Sequence, residues 1–419
     1  MSENWKTYKL GEVAEVQNGF AFKSKDMGET GIPVIKIKNI VSPNVILEGA
    51  GFYTGEIDVK LAKYILRRDD FLISMTGSTV NVMSSAVGKM GKYRLDDIAL
   101  LNQRVGKIYI TDKAKANFDY VCHFLNRYDI NYSLALNATG SANQANISPA
   151  QIKDLDLLLP PLQEQKEIAS ILSALDDKIE LNLQMNKTLE DMALALYKHW
   201  FVDFGPFQNG EFVNSELGMI PKGWEVKSVY DVADYVNGAA FKPSDFEEEG
   251  LYVIKIAELR SGITSNTNRS QKKIKETLVI DDGSVLFSWS ATLDIFLWDK
   301  GRALLNQHIF NVIPNRILPK EILYFLLKNV VAHFQAIAAD RATTMGHIKL
   351  SHLKETLLAI PNNENIQGID ANFKNMFEQI LSNLLENQTL TILRDTLLPQ
   401  LISGEVQVKD IKQTIAQVL

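Results

Sequence analysis

Residues 18–37 read NGFAFKSKDMGETGIPVIKI, and residues 237–256 read NGAAFKPSDFEEEGLYVIKI. Laid on one another at a constant offset of 219, residues 18–40 and 237–259 need no gap and agree at 12 of 23 positions, where ordinary residue frequencies give roughly one or two. The chain is therefore an internal repeat. The same offset pairs Trp5 with Trp224 and Val13-Ala14 with Val232-Ala233. It then drifts: FLISMTGST from Phe71 meets VLFSWSATL from Val285 at 214, LLNQRV meets LLNQHI at 204, and ISPAQIKDLDLLLP meets IKLSHLKETLLAIP at 201. Segments of a common frame are kept while the stretches between them are rewritten, which is the pattern of one scaffold making two different readings.

The 419 residues are 46% hydrophobic and 22% charged, enough for two or three packed domains of ordinary globular composition. No run of 18 apolar residues occurs and the opening MSENWKTYK lacks the regions of a signal peptide, so a cytoplasmic protein without membrane attachment is expected. The one cysteine, Cys122, fits a reducing compartment and reads as a small buried hydrophobe. The net charge of −6 lies mainly in two helical segments, with −4 over residues 161–204 and −3 over 362–419. A lone nucleic-acid-binding module is usually more basic, so if DNA is the ligand, partner subunits are expected to supply much of the phosphate neutralisation.

Each copy opens with short β-rich runs such as VIKIKNI, DFLISM and VGKIYI between Gly, Asn, Asp and Ser turns. After Pro160-Pro161, about 40 residues run without Gly or Pro, a helix begun just past a proline pair. Alternating steps of four and three pick out Ile168, Leu172, Leu175, Ile179, Asn182, Asn186, Leu189, Ala193, Leu196 and Trp200 as a coiled-coil seam with two polar interruptions. The offset of 201 maps these onto Ile369, Phe373, Met376, Ile380, Asn383, Asn387, Leu390, Arg394, Leu397 and Leu401. Buried asparagine in a seam fixes register by bonding a polar partner; the alternative is that these residues face solvent in a shifted register. The expected fold is α+β: two β-rich domains, residues 1–160 and 205–361, separated by two long helices, 161–204 and 362–419, that pack as an antiparallel pseudo-twofold coiled coil. Such a pair puts the domains at opposite ends of a rod of about 60 Å. The Gly-, Asn- and Pro-rich stretch Gly205 to Gly223 is expected to be a linker.

Familiar catalytic patterns are missing from the sequence. GAGFYTG at Gly49 has the wrong final spacing for a dinucleotide loop, and Gly88-Lys89 lacks the flanking residues of a phosphate loop. The six histidines show no metal-ligand spacing, so neither a catalytic residue nor a metal site is assigned. Glu164 in the first turn of the first long helix is explained by the helix dipole.

What remains is binding chemistry. Lys36 and Lys38, alternating with apolar residues in VIKIK, are expected on one face of a strand, with Lys255 their counterpart. RSQKKIKE, with Arg269, Lys272 and Lys273, is the densest basic cluster and suits phosphate contact or a solvated face. Amide- and hydroxyl-rich turns recur at matched places: Thr76, Ser78 and Asn81 with Ser290 and Thr292; Gln103 and Arg104 with Gln307 and His308; Ser141, Asn143, Gln144 and Asn146 with Arg341, Thr343 and Thr344. Asn, Gln and Arg are the side chains that address base edges in pairs of hydrogen bonds. Each turn alone is ordinary turn composition; their recurrence at equivalent positions with different contents is the signal.

These features together resemble the specificity subunit of Type I restriction-modification systems. The likeness rests on WKTYKLGEVAEVQNG and GWEVKSVYDVADYVNG, LISMTGST and LFSWSAT, the two LNQ segments, LPPLQEQKEIASILSALDDKIELN, YKHWFVDFGPF with SELGMIPKGW, and the closing LLPQLISGEVQV. It implies two target recognition domains reading the halves of a split, asymmetric DNA sequence, spaced by the helical pair. It also implies partners that do the chemistry: two modification subunits that bind S-adenosylmethionine and methylate adenine, and restriction subunits that use ATP and Mg²⁺. Two other classes fit a duplicated chain: a scaffold binding only proteins, and an enzyme with its active site between the copies. The second would be marked by acidic and histidine clusters on matched segments, which the sequence lacks.

Overall fold

A computed structural model describes residues 4–141, 144–290, 292–340, 348–362 and 370–410. The chain forms two compact units, one of residues 1–176 with 392–419 and the other of residues 177–391. Each is β-rich and holds an antiparallel pair of segments from the two long helices, Leu162–Tyr197 and Asp370–Ser403.

In the first unit, six strands run in the order Ala14–Asn18, Val105–Ile110, Phe71–Ser74, Met90–Lys92, Asn44–Val45, Ile40–Val41. The strand Phe71–Ser74 is buried at every position because both its faces are covered, which is why it reads as a continuous apolar run. Two separate apolar cores follow, one centred on Phe71, Tyr120 and Leu172, the other on Ile35, Leu72 and Tyr93. In the second unit the equivalent strands are Ala233–Asn237, Ile309–Pro314 and Val285–Ser288, followed by Asp294–Leu297. The register is shared: Asn18 lies opposite Gly106, and Asn237 opposite Phe310, which is the position 204 residues on.

The repeated Asn-Gly and Leu-Asn-Gln segments turn out to be one feature. Gly19 N–H donates to Val105 O at 3.1 Å, Phe20 N–H to Leu101 O at 2.8 Å and Gln103 N–H to Phe20 O at 2.8 Å. In the second unit Gly238 donates to Ile309 O, Ala239 to Leu305 O and Gln307 to Ala239 O, each at 2.9 Å. The two backbones cross so closely that a Cβ on Gly19 would stand 2.0 Å from Asn102 O, and one on Gly238 2.1 Å from Asn306 O. Only glycine fits, and that explains why these positions stay the same in both copies.

The helical seam is built around the four asparagines, all buried. Asn182 Nδ2 donates to Asn387 Oδ1 at 2.8 Å, and Asn383 Nδ2 to Asn186 Oδ1 at 2.8 Å. Asn387 Nδ2 and Asn186 Nδ2 in turn donate to the carbonyls of Ile179 and Ile380, both at 3.3 Å. Residue numbers rise along one helix as they fall along the other, so the helices are antiparallel, and each bond has its twofold counterpart. In the first unit the helix segments join the core through Ile168, Leu172, Leu401 and Ile402, and Arg394, on the seam, donates to Asp176 at 2.8 Å. The opening of the first long helix is fastened by Gln165, whose amide donates to Lys115 O and Pro160 O, both at 2.8 Å, and by Glu164, which accepts from the Trp5 indole at 3.2 Å.

One expectation needs correction. VIKIK is not a strand throughout: the strand Ile32–Ile35 stops, Lys36 caps a short turn Ile37–Asn39, and Lys38 lies within it. The buried Asn39 explains the break, because its side chain accepts from Lys36 N–H at 3.0 Å and donates to Glu48 O at 3.1 Å, drawing the backbone out of the extended form. Lys255 likewise precedes a helix, Ile256–Ser261, with Glu258 accepting from its N–H at 3.0 Å. The stretch Gly205 to Gly223, expected as a linker, is structured. It holds a turn Gly205–Phe207 and a hairpin of Phe212–Ser215 with Gly218–Pro221, and Phe204 and Phe207 pack on Trp224 with ring centroids 5.3 and 5.1 Å apart. Aromatic residues scattered among the glycines carry the packing that the composition hides.

Candidate nucleic-acid interface

Strand pairing in the first unit brings together residues from four distant segments. The short strand Thr76–Gly77 pairs with Gln144–Asn146, placing Thr76 opposite Asn146. Met75 N–H donates to Arg104 O at 2.9 Å and Ile147 N–H to Met75 O at 3.1 Å. A depression of about 300 Å³ opens here, lined by Asn18, Met75, Thr76, Gln103, Arg104, Asn146 and Ile147. Arg104 Nη1 donates to Thr76 Oγ1 at 3.2 Å, the Thr76 hydroxyl donates to Asn146 Oδ1 at 2.8 Å, and Asn146 Nδ2 donates to Gln144 O at 3.2 Å. Gln103 and Arg104 are exposed. The arrangement is a rim of amide and guanidinium groups held by side-chain relays, able to donate and accept at the edge of a planar ligand.

The second unit repeats the main-chain frame around different side chains. Trp289 N–H donates to His308 O at 3.4 Å and Ile348 N–H to Trp289 O at 3.1 Å, the counterparts of the two bonds made by Met75. Trp289 thus stands where Met75 stands, and His308 where Arg104 stands. The Trp289 indole donates to Asn237 Oδ1 at 3.1 Å and its ring centroid lies 5.0 Å from that of His308, which adopts φ of +74°. That left-handed backbone is uncommon for a residue with a side chain and is tolerated more readily by histidine than by bulky or branched residues.

Among the other expected residues, Ser78 bonds Ser85 hydroxyl to hydroxyl at 2.7 Å and Asn81 is exposed on the turn Val80–Ser85. Ser290 is buried and its carbonyl accepts from Ser288 at 3.3 Å, while Thr292 is half-buried. Ser141 ends the strand Thr139–Ser141; Asn143, Arg341, Thr343 and Thr344 lie outside the described residues.

The basic cluster is less open than its composition implies. The Arg269 guanidinium lies 4.0 Å over the Tyr252 ring and bonds its hydroxyl, and Lys272 pairs with Asp245 at 2.8 Å and lies over Phe241. The Lys242 N–H first, and Lys272 second, hold the Asp245 carboxyl below its usual range. Lys255 donates to Asn268 at 2.7 Å and lies 4.6 Å over Phe246. Lys273 is exposed. Asn18, Asn237, Met75 and Trp289 belong to the rims without being polar-turn residues, and the Asn kept before the glycine in both copies is the signal for the first two.

A family model described as the Type I restriction modification DNA specificity domain matches residues 2–191 and 221–393. The chain belongs to this family. The Type I restriction enzyme MjaIX specificity subunit of Methanocaldococcus jannaschii is 30% identical over 305 residues, covering 65% of this chain and 66% of the relative, just under two thirds of its length. The HindI specificity subunit of Haemophilus influenzae is 26% identical, covering 61% of this chain and 70% of that one. In fold, the chain is similar to the S subunit of a Type I restriction-modification system from M. genitalium, with a TM-score of 0.52, 14% identity, and coverage of 95% and 96% of the two chains. Among the described residues, no helix is long and apolar enough to cross a membrane.

Proposed function

We propose that the chain reads a bipartite, asymmetric DNA target and directs the chemistry of partner subunits without performing any itself. Each β-rich unit reads one half-site. Two modification subunits carry S-adenosylmethionine and methylate adenine, and restriction subunits use ATP and Mg²⁺ to cleave. The observation that carries this reading is the repeated main-chain frame with different rims: Met75, Thr76 and Arg104 on one, Trp289 and His308 on the other. Equal frames address DNA in equal ways, and unequal rims select unequal sequences. The acidic balance of the chain leaves much of the phosphate neutralisation to the partners.

The test is a gel shift with the full chain, with and without its modification subunits, on a random duplex pool. The expected result is a complex that selects two separated motifs of different sequence. A complex that retains no DNA would favour a scaffold for proteins alone, and methyl transfer by the purified chain alone would refute the division of labour.

A further inference from the structure

Resting on that reading, we infer that Arg104 is the residue by which the first unit selects a guanine, and that Thr76 and Asn146 are its positioning residues.

The guanidinium is aimed rather than loose. One nitrogen is tied to Thr76 Oγ1 at 3.2 Å; that hydroxyl spends its own hydrogen on Asn146 Oδ1 at 2.8 Å, and Asn146 is oriented by its donation to Gln144 O at 3.2 Å. Thr76 and Asn146 each accept one bond and donate the next, so the relay runs in one direction from the strand pairing out to the arginine. The fork beyond Nη1 has no partner among the described residues. A planar fork with two donors in line matches two adjacent acceptors, and in the major groove only guanine offers such a pair, O6 and N7.

A phosphate anchor is the competing use of an arginine. Phosphate sites gather cations or main-chain N–H groups, whereas Arg104 is the one cation lining this depression among its described residues, and its neighbours are the amides of Asn18, Gln103 and Asn146. Amides beside a guanidinium suit base edges. At the matched position the second unit carries His308 against Trp289, which presents no fork, so the guanine requirement belongs to one half-site only.

The experiment reconstitutes the full chain with its modification subunits, selects bound duplexes from a random pool, and compares the native protein with Arg104→Lys, Arg104→Gln and Thr76→Val. The native complex should require guanine at one position of one half-site. Arg104→Lys keeps the charge and loses the fork, so preference there should fall by about 5- to 150-fold while affinity for unrelated DNA changes little. Thr76→Val should relax the same position less. The second half-site should be selected unchanged by every variant, which also shows that each is folded. Weaker binding to all sequences with the base profile intact would make Arg104 a phosphate contact and overturn the inference, as would an unchanged profile. A native complex that selects no sequence would instead refute the DNA-reading role on which it rests.

Discussion

Replacing Asn182 by leucine tests whether the asparagine ladder holds the helices in register. Asn182 supplies the hydrogen that satisfies Asn387 Oδ1 at 2.8 Å, and Asn387 is 9% exposed, so water reaches that oxygen poorly. Its other bond, from Nδ2 to Ile179 O at 3.3 Å, survives the change. One orphaned buried acceptor costs about 1–3 kcal/mol. The Lys178–Glu386 contact also loses its link to Asn182, but that pair is around 40% exposed and contributes little. For the 215 residues of 177–391, this corresponds to a melting shift of about 2–12 °C. Asn182→Leu combined with Asn387→Leu removes both polar groups and should recover most of the loss, giving a coupling of about 1–3 kcal/mol in a double-mutant cycle. The assay is calorimetric melting of the four proteins. A double mutant as unstable as the sum of the singles would refute the pairing.

Gly19→Ala should cost more than about 3 kcal/mol, because its Cβ meets the Asn102 carbonyl at 2.0 Å and only backbone can yield; an unchanged melting curve and intact half-site selection would count against the crossing. His123 is buried, 3.1 Å from Ser173 Oγ, and burial pushes its pKa down to about 4 against the opposing pull of Asp176. Because the folded value lies below the unfolded one, the stability it contributes is fully present above about pH 6.5 and falls by about 3 kcal/mol on approaching pH 4; denaturant titrations of native and His123→Gln protein should diverge over that window, and parallel profiles would contradict the assignment. Lys273→Ala should lower the salt slope of DNA binding by about one, and Lys272→Ala by less, since Asp245 already neutralises Lys272; equal slopes for the two variants would dispose of this distinction.

The seam was legible because Asn182 and Asn186 fall on apolar steps of a long helix and recur at Asn383 and Asn387, so periodicity and repetition point the same way. The kept Asn-Gly and Leu-Asn-Gln segments were legible as a repeat, but not as partners, since main-chain contact between residues 66 to 86 positions apart leaves no mark on side-chain type. Alternation alone puts Lys36 and Lys38 on one face of a strand, but it takes no account of Asn39, whose side chain competes for the backbone. The relay from Arg104 through Thr76 to Asn146 depends on strand register, which a sequence of short polar turns does not declare. Trp289 reads as core and does pack on the core of the second unit, while its indole also donates to Asn237, a bond that composition does not declare.

The crossing that seats each rim is held by amide hydrogens and carbonyls, joined in the first unit by Asn102 Oδ1, which accepts from Gln103 N–H at 2.8 Å, so it makes no demand on the side chains of Gln103, Arg104 or Thr76. Substitution at Arg104, Gln103 or Thr76 therefore leaves the turn itself intact, and so does substitution at His308 or Gln307. Variation at these sites begins from a protein that already folds, and selection can act on what each variant recognises rather than on whether it survives. Gly19 and Gly238 carry the opposite burden: the freedom of the rims to evolve rests on two positions that cannot.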